Sequence, residues 1–402
     1  MSRTQAPLYA LIIHLVISTT PKAQERMSQR ELIRVSVVGA GLGATVFHVP
    51  LVLSSPDLFI LHSVVERTPP AEMQPEGTIA KKFNVKTKLV NKFEDVLSDE
   101  AVELVIITTP NSTHYGFAKA ALEAGKHVLV DKPVTTTYEE AQELGRIATR
   151  KNLILYAFQN RRWDSDYLTL RKVLQNGSLG HITDFVSQYD RYRNFLKGSW
   201  KESAKAGSGL IYDLGTHLID QALHLFGRPA RITAFLQNLR GIGEDNVDDN
   251  FTILLHYPRT EQNPYLLTVT LRAHPLSQRT PQLRYTIRGS KGTFVKHGLD
   301  VQEEQMKELG VKAFGKAWFG RESEEIQAEL EVVEKEGDNA PLKSKITSEK
   351  GDYRALYRNL GAAIRDGEEL KVKWKEAEMV MLIVDLAIVS SREGRTLDVP
   401  EV

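Results

Sequence analysis

Three groups of residues in this chain have types and spacings that can do chemistry. The first is Gly39-x-Gly41-x-x-Ala44, which follows directly on Val35-Ser36-Val37-Val38. Gly39 permits a tight turn off a strand, and Gly41 has no Cβ to hold the backbone away from a pyrophosphate. Ala44 is small enough for the next helix to pack on a sheet, and that helix aims its free N–H groups and dipole at the phosphates. With Leu42 and Gly43 between them, these residues form a candidate dinucleotide cradle. The second group is Lys132, in Val130-Asp131-Lys132-Pro133. There it is a cation at the carboxyl end of a strand, where open sheets bind ligands. The third is Asp213 with His217, four apart on a helical pattern and so on one face. An imidazole titrates near neutrality and can exchange a proton with a substrate hydroxyl.

The elements that must position these residues change character along the chain. Strand-like runs at 34–38, 61–65, 104–108, 127–130 and 154–158 alternate with helical patterns at 77–83, 112–124 and 138–150. Apolar strands alternating with helices predict a parallel, doubly wound sheet, the context the glycine turn requires. A helix is expected over 168–175, and a second from about Leu210, with Asp213, His217, Asp220 and His224 on one stripe. The period then shifts to two, in runs at 182–192, 232–239, 250–256, 266–273, 283–288 and 293–295. Strands with few helices between them predict a mostly antiparallel open sheet. Residues 302–350 are charged and poorly periodic and read as a surface excursion, with Trp318-Phe319-Gly320 as its anchor. Helices at 353–365 and 377–391 close the chain. The fold class is α/β: a Rossmann domain over 31–157, then an α+β domain over 158–402.

Composition excludes several classes. A chain of 402 residues is long for one core. Lys+Arg 52 against Asp+Glu 51 leaves a net charge of +1 and no electrostatic case for nucleic acid or an anionic membrane. With Cys 0, disulfides and thiolate chemistry are absent, which suits the cytoplasm. His217 and His224 lie two helical turns apart, roughly 10 Å, and no HExxH occurs, so no metal site is expected. Residues 1–30 contain an apolar stretch, Leu8–Ile17, too short to span a bilayer and read as an extension outside the fold. Deletion to Met27 is expected to leave the thermal midpoint and the activity unchanged; loss of soluble protein would show otherwise.

Two stretches carry a family resemblance. Thr109-Pro110-Asn111-Ser112-Thr113-His114 precedes a helix that runs into Ala124-Gly125-Lys126-His127-Val128-Leu129-Val130-Asp131-Lys132-Pro133. This resembles the Gfo/Idh/MocA oxidoreductases, with aspartate (Asp131) where the family carries glutamate. Asn160-Arg161-Arg162-Trp163-Asp164-Ser165-Asp166 is similar to the branch containing scyllo-inositol dehydrogenases. The resemblance implies a cofactor set of Thr109, Pro110, Asn111, His114, Asp131, Lys132 and Arg162 beside the glycine turn, and catalytic roles for Lys132, Asp213 and His217. It also implies a cis Lys132–Pro133 bond, and a homodimer or higher homo-oligomer through the open sheet. Asn111 by its type also suits a helix N-cap.

The activity this implies is hydride exchange between a nicotinamide and a carbon bearing a hydroxyl, on a cyclic polyol or sugar. His217 would take the hydroxyl proton, Lys132 would stabilise charge on the same oxygen, and Asp213 would hold the imidazole or a second hydroxyl. Which of Lys132 and His217 is the formal base stays open at this stage. Glu66, 27 residues after Gly39, suits NAD by bonding its 2′-hydroxyl, whereas Arg67 suits the 2′-phosphate of NADP; the balance favours NADP. The alternatives are a non-catalytic dinucleotide-binding regulator and a reductase of dicarbonyl or anhydro-sugar substrates.

Overall fold

Branched apolar residues build the centre of the first sheet. Its strands are β1 (Ile33–Val38), β2 (Phe59–Val65), β3 (Lys88–Val90), β4 (Leu104–Ile107), β5 (His127–Val130) and β6 (Leu155–Ala157). All pair in parallel in the order β3-β2-β1-β4-β5-β6. This is the doubly wound order, whose direction of winding reverses between β1 and β4, and ligands bind at the carboxyl ends beside that point. Every residue of β4 is buried, as expected of a strand covered by helices on both faces. β3 and the helix Phe93–Leu97 are additions to the expected elements, too short to show a period. The computed structural model describes residues 31–335, 337 and 340–401. The 1–30 extension expected from sequence lies outside these described residues.

The second sheet contains β7 (Ile182–Gln188), β8 (Arg231–Gln237), β9 (Asn250–Tyr257), β10 (Leu267–Ala273), β11 (Leu283–Gly289), β12 (Gly292–His297), β13 (Ala328–Val332), β14 (Leu342–Ile346) and β15 (Leu397–Asp398). Its order is β14-β13-β12-β11-β7-β10-β9-β8-β15, antiparallel except for the parallel pair β7 and β10. Along β9 and β10 buried and partly exposed residues alternate, so the sheet has one covered face and one open face. The helix Trp374–Glu393 packs on the covered face and also reaches the first sheet's layer. Asp385 accepts the Tyr138 N–H at 2.8 Å, and the Trp374 indole donates to the Ala141 carbonyl at 2.9 Å. Both sheets belong to one compact unit, Ile33–Val402.

Three expectations are corrected here. Residues 302–350 are not a surface excursion: β13 and β14 extend the sheet edge, and the helix Gln302–Leu309 packs against the segment Gly43–His48. Of the expected anchor, Phe319 is fully buried against Phe314 while Trp318 is 45% exposed. The helix expected from Leu168 begins at Ser165.

Candidate active site

The glycine turn does what its spacing requires, though one task falls to a different residue. Gly39 has φ 109°, and a Cβ there would lie 2.7 Å from the Thr108 carbonyl oxygen. A Cβ on Gly41 would meet nothing within 4 Å, so its backbone is open to a ligand. The close packing on the sheet belongs to Gly43, whose Cβ would sit 2.2 Å from Thr108 Oγ1 and 2.8 Å from Asp131 Oδ2. Ala44 is fully buried in the core and does not line the cavity, so it supports the turn from behind. Gly43–His48 winds as a π-helical segment before the α-helix Val49–Leu53. Such wide turns are over-represented at functional sites.

A cavity of about 1640 Å³ opens over this turn. That exceeds the roughly 300–1,000 Å³ of a site for one small molecule and gives room for a dinucleotide with a substrate. Gly39, Gly41, Leu42, Gly43, Glu66, Arg67, Thr109, Pro110, Asn111, His114, Asp131, Lys132, Asp213 and His217 all line it. Several are held by bonds that sequence did not suggest. Asn111 is not a helix cap; its amide donates to the Gly207 carbonyl at 2.7 Å, tying the two halves of the chain. His114 is buried with its ring nitrogens 2.7 Å and 2.8 Å from the Pro133 and Thr109 carbonyls, so it fixes two wall loops. Glu66 receives the N–H of Thr78 at 2.8 Å and its hydroxyl, which commits the carboxylate to the helix Gly77–Phe83. Arg67, beside it, is exposed to the cavity.

Arg162 is the clear departure. It is 3% exposed, does not line the cavity, and grips Asp220 with bonds of 2.6 Å and 2.9 Å. Its third arm reaches Glu376 at 3.0 Å and the Lys371 carbonyl. It is a clamp between helices, and Arg161 faces the cavity instead. The expected stripe of four ionisable groups divides accordingly. Asp213 and His217 face the cavity, whereas Asp220 is held by Arg162 and His224 by the Tyr167 hydroxyl at 2.7 Å.

At the reactive end, the Lys132–Pro133 bond is cis. The Lys132 ammonium donates to the Asp213 carbonyl at 2.6 Å and lies 3.3 Å from its carboxylate. Asp213 does not hold the imidazole: its carboxylate takes a second lysine, Lys201, at 2.6 Å. The reason is local. Ile211–Gly215 is π-helical, so Asp213 leaves the regular i to i+4 register with His217. Lys201 is the residue sequence missed; its only trace was the Ser199-x-x-Glu202 capping box that forms the turn carrying it. Asp248 was missed too: it accepts the Ile211 N–H at 2.8 Å and so caps this helix from a separate loop.

The electrostatics follow from burial and these partners. Burial foremost pushes the Lys132 ammonium below its usual range, against the pull of Asp213. Burial would raise Asp213, but Lys132 and Lys201 hold it well below the carboxylate range. Asp131 is likewise held down at about 2 despite burial, by His48, whose Nε2 lies 3.4 Å away, and by Lys132. His217 is depressed well below 6.5, by burial first and then by the charges of Lys132 and Arg161. Its Nδ1 is buried without a hydrogen-bond partner among the described residues. The imidazole is therefore neutral at pH 6.5 and above, and the acid limb of the kcat/KM profile is expected below 6.5. An acid limb centred at or above 6.5 would show that His217 is not the titrating base.

The description "Oxidoreductase family, NAD-binding Rossmann fold" matches residues 33–159, and "Oxidoreductase family, C-terminal alpha/beta domain" matches residues 171–399. The chain belongs to the Gfo/Idh/MocA oxidoreductase family. An uncharacterised oxidoreductase of Schizosaccharomyces pombe is 37% identical, over 92% of this chain and 99% of its own. The scyllo-inositol 2-dehydrogenase (NADP(+)) of Bacillus subtilis is 34% identical over 91% of this chain and 96% of its own. A solved Bacillus subtilis oxidoreductase superposes with TM-score 0.81 at 32% identity, covering 92% of this chain and all of that one. The family match and relatives named as dehydrogenases make this chain an enzyme. No helix among the described residues is long and apolar enough to cross a membrane.

Proposed function

We propose that the chain exchanges hydride between NADP, or NAD, and a secondary hydroxyl or carbonyl of a cyclic polyol or sugar. One observation carries this: Lys132, fixed on Asp213, stands in the same cavity wall as a neutral His217, at the strand ends over an open glycine turn. The turn fits a dinucleotide, because the Gly41 backbone is unobstructed and Gly43 alone lets the segment sit against Thr108 and Asp131. A bound nicotinamide would supply the two-electron chemistry. The protein handles the proton. Neutral His217 accepts it from the substrate hydroxyl in oxidation and returns it in reduction. The Lys132 ammonium, with one proton left for the cavity after its two bonds to Asp213, stabilises the negative oxygen. Asp213 positions both lysines, and its charge opposes the proton loss that burial favours at Lys132.

A panel of polyols and sugars, neutral, acidic and phosphorylated, followed by reduced-cofactor absorbance, tests the assignment; no turnover of any member in either direction would overturn it. The name of the Bacillus relative supports the polyol class. We place the domain division at 157/158, the chain in the cytoplasm, and a homodimer contact on the open sheet face. There Val186, Thr270, Leu254, Thr286 and Val295 share one side, which needs cover.

For the cofactor, the favoured choice is NADP. Glu66 is occupied by Thr78, and no described residue pairs with the cavity-lining Arg67 or Lys92, which leaves two cations for a 2′-phosphate. Arg67→Ala is expected to raise KM for NADP roughly tenfold or more, a lost charge-assisted contact of about 1.5–3 kcal/mol, with little change for NAD. An unmoved NADP to NAD preference would make Glu66 the deciding residue.

A further inference from the structure

Five of the ten lysines and arginines lining the cavity hold carboxylates, Lys307 with Glu303 and Glu304 among them, while Arg67 and Lys92 stand unpaired after β2 and β3. Lys132 and Lys201 hold Asp213, Arg240 holds Asp249 at 2.6 Å, and Arg161 pairs with Glu303. Arg191, Arg193 and Lys197 form a second unpaired group. All three line the cavity, and none makes an ion pair or side-chain hydrogen bond with any described residue. Their charges act on the reactive end: Arg191 on both Asp213 and Lys201, and Arg193 and Lys197 with Asp213. The neighbouring Asp190 makes no ion pair with any of them among the described residues, and burial pushes its carboxyl up.

The segment bearing them is held in place. Arg240 donates to the Arg193 and Phe195 carbonyls at 3.1 Å and 2.8 Å, and the Glu202 carboxylate accepts the Lys197 and Ser199 N–H groups at 2.8 Å and 3.2 Å. Gathering three like charges with no carboxylate in contact is unfavourable, and Asp213 and, for Arg193, Glu202 offset it only at longer range. Burial and mutual repulsion already depress Arg193 and Lys197. A wall that is fixed, cationic and unpaired next to the proton-handling groups is complementary to an anion.

We propose that the substrate of this site carries an anionic substituent, a carboxylate or a phosphate, bound by Arg191, Arg193 and Lys197 while its hydroxyl carbon faces Lys132 and His217. This rests on the oxidoreductase assignment above and narrows its substrate class. Forked guanidinium donors suit either anion.

The test compares matched probes with the full-length enzyme and NADP: D-glucose against D-glucuronate and D-glucose 6-phosphate, and myo-inositol against its 1-phosphate. The charged members are expected to show kcat/KM roughly tenfold or more above the neutral ones, with a KM that rises with ionic strength. Arg191→Gln with Arg193→Gln should erase most of that gap, and the exposed Lys197→Gln should narrow it if the double variant folds poorly. Two results would overturn the proposal while leaving the oxidoreductase assignment intact. One is a neutral probe turned over as well as its charged partner; the other is a variant effect confined to KM for the dinucleotide, which would give these cations to the cofactor. Calorimetry of D-glucuronate and inorganic phosphate binding to the enzyme–NADP complex decides the matter if no probe turns over. Binding weakened in the variants upholds the anion site, and no binding rejects it.

Discussion

Lys132→Ala is expected to lower kcat at least about a hundredfold while leaving dinucleotide affinity nearly unchanged. A positioned group that stabilises charge or handles a proton typically contributes two or more powers of ten. The Lys132 ammonium is at the reactive end, 2.6 Å from the Asp213 carbonyl, whereas the phosphate cradle is built from Gly39 to Gly43. The fold should survive, because Asp213 keeps Lys201 and no buried charge is abandoned. Stopped-flow and equilibrium binding separate the two quantities. A variant retaining roughly a tenth of wild-type kcat would remove Lys132 from the chemistry, and one that loses cofactor affinity in proportion would move it to the dinucleotide site.

Arg162→Ala should have its effect on stability and not on the cofactor. The side chain closes two bonds to Asp220 and one to Glu376, and Asp220 is 1% exposed. Removing one partner of a buried pair leaves the other charge without compensation, at roughly 3–5 kcal/mol. Burial already pushes Asp220 above its ordinary range even with the arginine present. Denaturant unfolding should show the loss, and the double change Arg162→Met with Asp220→Leu should recover much of it, since an apolar pair of similar volume fills the same space. Dinucleotide KM in the folded fraction is expected to stay put. A selective rise in that KM, with stability unaltered, would restore Arg162 to the cofactor site.

The contrast between Arg161 and Arg162 shows where sequence stops being informative. Both lie in one short helical turn, Asn160–Trp163, and nothing in their identity separates them. Which one faces the cavity depends on where Asp220 and Glu376 arrive, from helices 58 and 214 residues further along the chain. Asp213 and Lys201 make the same point at shorter range. A regular helix places Asp213 beside His217, but the π-helical turn at Ile211–Gly215, capped by Asp248 from another loop, turns the carboxylate to the lysines.

The sequence by itself determined what is periodic or local. Branched runs ending in a glycine turn dictate a parallel sheet with its cradle at β1, and the lysine after β5 must emerge at the same edge. A period of two further on dictates a second, mostly antiparallel sheet. These follow from backbone sterics and the burial of every second or every fourth side chain, which neighbours in the chain settle among themselves. Only the tertiary structure decided which charges are paired. It gave Arg162, Glu66 and Asn111 to structural partners, brought Lys201 to Asp213, placed Gly43 against Thr108 and Asp131, and left Arg191, Arg193 and Lys197 without a carboxylate in contact among the described residues. A charged side chain is long and its best partner can lie anywhere along the chain, so pairing is fixed by packed elements and not by spacing.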